Sequence, residues 1–358
     1  MKKSLVALAV MAAAGAASAQ SSVTLFGGVD IMVGNYRTAT LGSATKVNTS
    51  GLYSSRLGFR GVEDLGGGMK AGFWLEAGLN PDAGLGQGTS ANNQTGSTNN
   101  GGIVFNRRST ASLMGGWGEV RLGRDFTPAF WNKTVFDPFG TLGVAQASNL
   151  DLAGTAPQTG VRASNSIGYL FNQNNGPVGN GGFYGQLQLS RGENTSGAAT
   201  SSDGNGVGFR AGFEAGPVNA ALAYGNTKMA AANSSYKELN LAGSYDLRVV
   251  KLMAQYARND SGVAGTRYNN YLLGATIPVG AGYIPVSYNR VKQNNAAGSK
   301  ASQLGIGYVH NLSKRTSLYT SYARISNKNG AAYGVSGGVG GAANQNSSGF
   351  EVGVKHSF

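Results

Sequence analysis

The residues best able to do chemistry in this sequence are seven arginines between positions 56 and 162. A guanidinium stays charged at physiological pH and carries several N–H donors in one plane, so arginine binds anions well. Arginines or lysines around a narrow passage favour anions, whereas acids there favour cations. A single arginine is usually a solvated surface residue, so the interpretation depends on several being brought together. The seven are Arg56, Arg60, Arg107, Arg108, Arg121, Arg124 and Arg162.

The segments that carry these arginines alternate between apolar and polar residues. Leu57 and Phe59 alternate with Arg56 and Arg60, and the same period of two recurs from one end of the chain to the other. A period of two is typical of β-strands with two different faces. By this alternation Arg56, Arg60, Arg121 and Arg162 lie on the polar faces of their strands.

The alternation predicts sixteen strands, an even number of the kind that bacterial outer-membrane barrels have. Their boundaries are expected to hold within a few residues. The strands are 22–36, 51–63, 68–80, 103–115, 117–125, 161–172, 182–191, 205–215, 217–226, 236–247, 249–258, 267–277, 282–292, 301–312, 315–327 and 347–358.

The N-terminus has the pattern of a cleaved secretory signal peptide. Lys2 and Lys3 precede an apolar run that ends in Ala17-Ser18-Ala19, which predicts a signal over residues 1–19 and a mature domain over 20–358. Neither this run nor any later one is long enough for a membrane helix. The chain has no cysteine, so disulfides cannot stabilise it. We therefore predict an all-β, 16-stranded antiparallel transmembrane β-barrel, with a secreted β-sandwich or solenoid as the alternative.

The connections between the predicted strands alternate between short and long. Short turns such as 64–67 and 115–118 face long connections at about 37–50, 81–102 and 126–160. Long connections on one side and short turns on the other are typical of outer-membrane barrels. The third long connection is large enough to need a function. We predict that this loop folds into the bore and narrows it.

Other classes of function find little support in the sequence. The two histidines, His310 and His356, are expected at the rim of the barrel, and no metal, cofactor or catalytic group is predicted. The net charge of +13 could suggest nucleic acid, but export and the strand pattern argue against such a partner.

Several segments resemble the general porins of Gram-negative bacteria of the Burkholderiales and Neisseria type, especially the anion-selective porins of the Comamonas group. The resemblance covers the whole chain. It is carried by SSVTLFGGVD at 21–30, SSRLGFRGVEDLGGGMKAGFWLE at 54–76, FNRRSTASL at 105–113, GEVRLGRDF at 118–126, YVHNLSKRTSLY at 308–319 and VGVKHSF at 352–358.

The resemblance implies a homotrimer of water-filled barrels in the outer membrane, in contact with lipid and lipopolysaccharide. It also implies that the terminal Phe358 is read by the barrel-assembly machinery. It places constriction arginines at Arg56, at the pair Arg107 and Arg108, and at Arg162. It places acidic partners at Glu76 and at Asp137 in the third loop.

The resemblance and the strand pattern disagree within the arginine pair. If Ala111 and Leu113 face outward, alternation places Arg108 on the inner face. The family pattern instead favours Arg107 as the inward residue. A β-bulge between Arg107 and Leu113 would reconcile the two. Both residues are therefore kept as constriction residues, together with Arg60, Arg121 and Arg124.

The resulting hypothesis is a general diffusion porin for small hydrophilic solutes and ions, with a preference for anions. The first alternative is a channel specific for one class of small organic or inorganic anion. Such a channel needs a saturable site, and the sequence shows no obvious aromatic track across several strands. A second alternative is a plugged barrel that serves as an enzyme or adhesin.

Overall fold

The computed structural model describes residues 22–89, 102–151, 158–173, 179–229, 234–261 and 267–358. The predicted signal peptide lies outside these residues. The described strands form one antiparallel sheet. The strands are β1 (Ser22–Thr38), β2 (Gly42–Thr49), β3 (Arg56–Gly66), β4 (Met69–Asn80), β5 (Leu85–Gly86), β6 (Arg108–Gly115), β7 (Gly118–Phe126), β8 (Arg162–Phe171), β9 (Gly182–Ser190), β10 (Gly206–Ala215), β11 (Val218–Met229), β12 (Ser234–Asp246), β13 (Lys251–Asp260), β14 (Arg267–Val279), β15 (Gly282–Asn294), β16 (Lys300–Asn311), β17 (Thr316–Lys328) and β18 (Ser347–Ser357).

The sheet closes on itself, with each wall strand paired to its neighbours in chain order. β2 and β3 both pair with β1 and together make one wall strand, while β5 pairs only with the end of β4. β1 pairs with β18 from Gly28 opposite Ser357 to Thr38 opposite Ser347, and Gly27 and Phe358 exchange two backbone hydrogen bonds. The wall therefore has sixteen strands, which confirms the predicted count and the closed antiparallel barrel.

Side chains alternate across the wall between an apolar outer face and a polar inner face. Leu241, Leu273 and Leu304 are each more than half exposed, whereas Asn240 and Gln303 are fully buried. Because successive strand residues point to opposite faces, closing the sheet encloses one complete set and exposes the other. The exposed set is the apolar one, as expected for a surface in contact with lipid.

The second wall strand differs from its prediction. Instead of one strand over 51–63 after a long loop, β2 and β3 flank a break over residues 50–55, and only residues 39–41 separate β1 from β2. The break is held by Asp30, whose carboxylate accepts the backbone N–H groups of Leu52 and Tyr53 at 2.7 and 2.6 Å. These side-chain bonds replace the ladder bonds that the break removes. Residues 42–49 are mostly polar, so the sequence pattern predicted a loop where the structure has strand β2.

The fourth wall strand begins at Arg108 rather than at residue 103. Its pairing with β4 runs without a register shift from Lys70 opposite Met114 to Glu76 opposite Arg108. The predicted bulge between Arg107 and Leu113 is therefore wrong. The side chains of both arginines are buried. Arg108 faces inward as the first residue of β6, and Arg107 can also do so because it lies before the strand, where alternation no longer applies.

Residues 127–151 form a segment, here called the inner segment, that packs on the polar face of the sheet. It contains helix α1 (Pro128–Val135), which begins after the N-cap Thr127 with proline in its first turn. Both are favourable at a helix start, because the cap accepts a free backbone N–H and proline lacks one. A short 3-10 turn over Ala147–Leu150 follows.

The two faces of the wall should respond oppositely to a new charge. We expect Leu273→Lys, at the middle of β14 and 64% exposed, to lower the free energy of unfolding in lipid vesicles by about 2–4 kcal/mol. Met253→Lys, on the inner face of the neighbouring β13, is the matched control and should cost less than about 1 kcal/mol because its ammonium can stay in water. Equal losses, measured by denaturant titration, would contradict this orientation of the wall.

Candidate functional site

The start of the inner segment is bound to the wall through Asn132, which is fully buried. Its amide nitrogen donates to Asn240 Oδ1 at 2.6 Å and to the Ala221 carbonyl at 3.2 Å, and its oxygen accepts from Arg210 Nε at 2.9 Å. Asn240 in turn donates to the Ala129 carbonyl at 3.1 Å. A buried amide with its groups satisfied in this way fixes α1 against β10 to β12.

Lys133, the next residue, is bound by two acids. Its ammonium lies 3.2 Å from Asp151 Oδ2 and also pairs with Glu238 Oε1. Burial alone would lower the pKa of Lys133, but the two carboxylates outweigh it and hold that pKa well above its usual range. The pair with Asp151 joins the two ends of the inner segment, and the pair with Glu238 joins it to β12.

Asp137 holds the middle of the inner segment together. Its carboxylate accepts the backbone N–H groups of Phe139, Thr141 and Ala147 at 3.0, 3.0 and 2.9 Å. Burial raises the pKa of Asp137 to about 6, although these donors lower it. Within the described ranges no ion pair joins Asp137 to an arginine. The resemblance had placed Asp137 opposite the constriction arginines. The structure instead gives its carboxylate backbone partners within the inner segment.

The tip of the inner segment reaches the last strands of the wall. The Val144 N–H donates to Glu351 Oε2 at 2.9 Å, and the amide of Gln303 donates to the Ala145 carbonyl at 2.9 Å. Asn149 Nδ2 donates to Gln303 Oε1 at 2.8 Å. These contacts lie on β16 and β18, so the inner segment covers the polar face from β10 to β18.

Apolar contacts also hold the tip of the inner segment in place. Val144, Ala145 and Leu150 are buried in a cluster with Tyr36 of β1 and with residues of the connection between β17 and β18. Within that connection the Ser336 N–H donates to Asn149 Oδ1 at 3.0 Å. The connection between β17 and β18 thus packs on the tip and holds it from the other side.

Arg56, Arg107 and Arg162 lie on the side of the wall that shares a cavity with the inner segment. Glu76 of β4 is 3.0 Å from Arg56 Nη1 and 2.6 Å from Arg107 Nε, and it also accepts from Trp74 Nε1 at 3.0 Å. One buried carboxylate therefore holds two guanidiniums that would otherwise repel each other. The predicted contact of Glu76 with this cluster is present.

Arg162 stands next to this group without a carboxylate of its own. Its Nε donates to the Arg107 carbonyl at 3.0 Å, and its guanidinium lies 4.1 Å from the centre of the Phe126 ring. No ion pair connects Arg162 to an acid of the described chain. Its charge is therefore less compensated than that of Arg56 or Arg107.

A cavity of about 540 Å³ separates the arginines from the inner segment. Arg56, Arg107 and Arg162 border it on one side, and Lys133 and Asp151 border it on the other. Glu76 and Glu238 lie behind the cations that they pair with. The described site therefore contains four cations and three carboxylates, and its formal net charge is +1.

A second cavity of about 330 Å³ lies along the same wall, nearer the short turns, and contains Arg60 and Arg108. Arg60 is 5.0 Å and Arg108 is 4.4 Å from the centre of the Trp74 ring. Arg108 also lies 3.8 Å from Asp125. Arg107 and Arg108 are therefore both on the inner side but border different cavities.

Two predicted residues are placed away from both cavities. Arg121 is buried in ion pairs with Glu119, at 2.8 Å, and with Asp125. Arg124 donates to the Asn106 carbonyl at 2.5 Å and to Ser164 Oγ at 2.7 Å, next to a register shift between Gly123 and Asp125. Their described contacts fix the β7 end of the wall.

Sequence reasoning missed the acids Asp151, Glu238 and Glu351, which hold the inner segment, and it missed the Phe26 ring beneath Arg60. The alternation predicts that Trp74 faces the lumen, because it has the parity of Glu76, and it could have identified Phe26 as well, which has the inward parity of Thr24. The pairing of Lys133 with Asp151 and Glu238 depends on how the segment folds back, and no local pattern signals it.

We expect Asp137→Ala to loosen the inner segment without unfolding the barrel. The change removes the acceptor of three N–H groups, of which that of Thr141 is buried and those of Phe139 and Ala147 are partly buried; a buried group left unpaired costs about 1–3 kcal/mol. Hydrogen exchange at Phe139, Thr141 and Ala147 should accelerate at least about tenfold, which corresponds to about 1.4 kcal/mol. Asp82→Ala, in an exposed connection, is the control and should leave these amides unchanged. Unchanged exchange in Asp137→Ala would contradict the role given to this carboxylate.

Comparisons with known proteins agree with this architecture. The family model for Gram-negative porins matches residues 5–330. The chain is 39% identical to outer membrane porin protein 32 of Delftia acidovorans, over the full length of both, and 30% identical to an outer membrane porin protein of Bordetella pertussis, over 90% of this chain and 94% of that one. Its structure is similar to the anion-selective porin from Comamonas acidovorans, with a TM-score of 0.80, 36% identity and coverage of 95% and 100% of the two chains. The chain belongs to the Gram-negative porin family.

Proposed function

We propose that this outer-membrane porin is a general diffusion channel for small hydrophilic solutes and ions, and that Arg56, Arg107 and Arg162 give it a preference for anions. The observation that carries the proposal is the placement of these three arginines on one side of the 540 Å³ cavity. As a porin the chain is a channel rather than an enzyme.

The narrowing of the bore is the first part of this proposal. The inner segment is hydrogen-bonded to wall strands between β10 and β18, and a cavity lies between it and the arginines. Solutes would therefore pass between the inner segment and the arginines. Residues 152–157 of the predicted loop lie outside the described residues, so the proposed constriction rests on residues 127–151.

The electrostatics of this passage are the second part. Arg162 lacks a carboxylate partner among the described residues, and Glu76 is shared between Arg56 and Arg107. A cleft with a cationic excess concentrates anions and depletes cations near it. Asp151, rather than Asp137, is the acid that faces the arginines across the cavity, so a transverse field would run from the wall to Asp151.

The remaining predicted arginines would act around this passage. Arg60 and Arg108 border the second cavity and would extend the cationic wall toward the short turns. Arg121 and Arg124 would support the constriction from within the wall. The anion selectivity named for the Comamonas porin agrees in sign with this proposal.

Neutralising the three arginines tests the selectivity. We expect the variant Arg56→Gln, Arg107→Gln, Arg162→Gln to shift the reversal potential in a potassium chloride gradient toward cations. A tenfold fall in the anion-to-cation permeability ratio would correspond to about 1.4 kcal/mol. The measurement is single-channel recording in planar bilayers.

An equal number of arginines on the outer face provides the matched control. Arg258, Arg290 and Arg324 are exposed there, and their joint change to glutamine alters the net charge equally. We expect this control to keep the selectivity of the parent chain. A parent channel that prefers cations would overturn the anion assignment, and equal shifts in the two triple variants would overturn the role of the cavity.

We further propose that the chain is exported with a signal peptide over residues 1–19 and assembles as a homotrimer. Lipopolysaccharide, outer-membrane lipid and the assembly machinery would be its partners. The pairing of Phe358 with Gly27 is compatible with a terminal residue that completes the last strand. The resemblance to this family supports each of these points.

N-terminal sequencing of protein purified from outer membranes tests the export signal. We expect the mature chain to begin at Gln20, because the Ala17-Ser18-Ala19 sequence fits a signal-peptidase site. Replacing Ala19 by a bulky residue should leave the precursor uncleaved, whereas a change at Ser21 should not. A mature protein that retains Lys2 and Lys3 would contradict this boundary.

A further inference from the structure

Three lysines on the outer face of the barrel face one another across neighbouring strands. Lys292, near the end of β15, lies directly opposite Lys300 at the start of β16, and Lys300 lies directly opposite Lys328 at the end of β17. Like charges directly opposite each other destabilise an antiparallel pair. These three residues, here called the lysine row, therefore repel one another unless an anion lies between them.

The lysine row points away from the bore. Lys300 has the parity of Leu304, which is 58% exposed, and Lys292 has the parity of Tyr288, which is 47% exposed. Lys328 is itself exposed. Because successive strand residues alternate between the two faces, all three lysines belong to the outer set. The row is therefore separate from the arginines of the proposed passage.

The strands around the lysine row supply no acid to it. From Gly282 to Phe358 the sequence has eight lysines or arginines and a single acid, Glu351, whose side chain is fully buried on the inner face. None of the ion pairs in the described ranges includes a lysine of this row. Arg290 and Arg324 lie deeper on the same outer face, so the field around the row is positive.

A second row at the same end of the barrel has alternating charges. Lys237 of β12 lies opposite Asp260 of β13, which lies opposite Arg267 of β14 and pairs with it at 3.2 Å. Opposite charges in facing positions stabilise adjacent strands. The lysine row instead has a third cation where that row has its acid, so wall stability does not explain it.

The lysine row lies at the end of the barrel that carries the long connections. Residues 329–346 follow Lys328, whereas the short turns 247–250, 280–281 and 312–315 join the opposite ends of these strands. In outer-membrane barrels the long connections are extracellular. The row is therefore at the height of the outer leaflet, which in Gram-negative bacteria consists largely of lipopolysaccharide, a glycolipid with several phosphate groups.

The outer face changes from polar to apolar below the lysine row. Two residues further into the membrane, Ser302 and Ser326 face each other. After two more residues Tyr288 faces Leu304, and tyrosine is favourable at the boundary between headgroups and acyl chains. This order of cation, hydroxyl and apolar side chain matches a lipid whose phosphates and sugars lie above its acyl chains.

From these observations we infer that the lysine row is a binding site for the phosphate groups of lipopolysaccharide. Neighbouring strands are about 4.8 Å apart, so the three lysine Cα atoms span about 10 Å. A headgroup with several phosphates can neutralise the whole row, whereas the single phosphate of a common phospholipid leaves part of it uncompensated. The ammonium groups serve as fixed counterions, so binding needs no divalent cation. The inference rests on the proposed partnership with lipopolysaccharide and deepens it.

The test is the affinity of the purified, detergent-solubilised porin for a fluorescently labelled deep-rough lipopolysaccharide. We expect binding to persist in EDTA and to weaken as salt is added, because salt screens the ammonium groups. A dephosphorylated form of the same lipid should bind at least about tenfold more weakly, which corresponds to about 1.4 kcal/mol. A strict requirement for magnesium or calcium would overturn the direct contact with phosphate.

Neutralising the lysine row tests its position. The variant Lys292→Gln, Lys300→Gln, Lys328→Gln should bind the phosphorylated lipid at least about tenfold more weakly than the parent chain. Its affinity should then match that of the parent chain for the dephosphorylated form.

Three exposed cations of the short turns provide the matched control. The variant Arg248→Gln, Lys314→Gln, Arg315→Gln removes the same charge from the opposite end of the barrel. We expect its affinity to change by less than about twofold, because charges much further away than the Debye length are screened. Equal losses in the two triple variants would show a dependence on net charge alone and would overturn the site.

A single charge reversal separates binding from folding. Lys300→Glu places an acid between Lys292 and Lys328, as Asp260 lies between its two cations. It should raise the denaturant concentration at the midpoint of unfolding, because two repulsive pairs become attractive. The same change should weaken lipopolysaccharide binding at least about tenfold. If the row only supported the wall, a more stable variant would keep its affinity.

The outcomes distinguish this inference from the proposed function. A parent chain that binds lipopolysaccharide, with equal affinity in the lysine-row variant, would overturn the site and leave the partnership intact. A parent chain without affinity would overturn both. Loss of the native oligomer in the lysine-row variant, with unchanged lipid affinity, would assign the row to a contact between proteins and also overturn the inference. Anion selectivity is measured in bilayers without lipopolysaccharide, so it is tested independently.

Discussion

The closure of the sheet between β1 and β18 is the constraint on which the rest of this structure depends. In lipid a backbone N–H or carbonyl without a partner costs several kcal/mol, so an open edge cannot be tolerated. Once the edge is paired, the period of two fixes which side chains face lipid and which face the bore. The inward positions are then free to carry Glu76, Asp30 and Glu351, because the outer face alone satisfies the membrane.

The inner segment shows how a polar loop is held inside such a barrel. Near its start Asn132 binds the wall, and at its tip the wall residue Glu351 accepts a backbone N–H. In its middle Asp137 accepts backbone N–H groups of the segment itself. These are buried hydrogen bonds and ion pairs rather than a large apolar core, which suits a surface that borders water. Such networks are rigid when every group is satisfied and costly when one partner is removed.

Much of the architecture could be predicted from the sequence, because strand alternation is a local signal. The sixteen strands and the inward parity of Arg56 and Arg60 follow from residue order alone. The break at 50–55 could not be predicted, since it depends on Asp30 reaching across from β1. The separation of Asp137 from the arginines could not be predicted either. It depends on hydrogen bonds within a loop, and such bonds produce no periodic pattern in the sequence. The partners of Lys133 are likewise distant in sequence, at Asp151 and Glu238.

The inner segment covers one arc of the wall and leaves the other to the arginines, which divides the circumference between two tasks. Residues on β10 to β18 anchor the segment, whereas Arg60, Arg56 and Arg162 on another arc border the two cavities, where the proposed function has them meet the solute. In that proposal, a substitution among the arginines would change the passage while the contacts that anchor the inner segment stay in place. Changes of the passage and maintenance of the barrel would then be largely uncoupled.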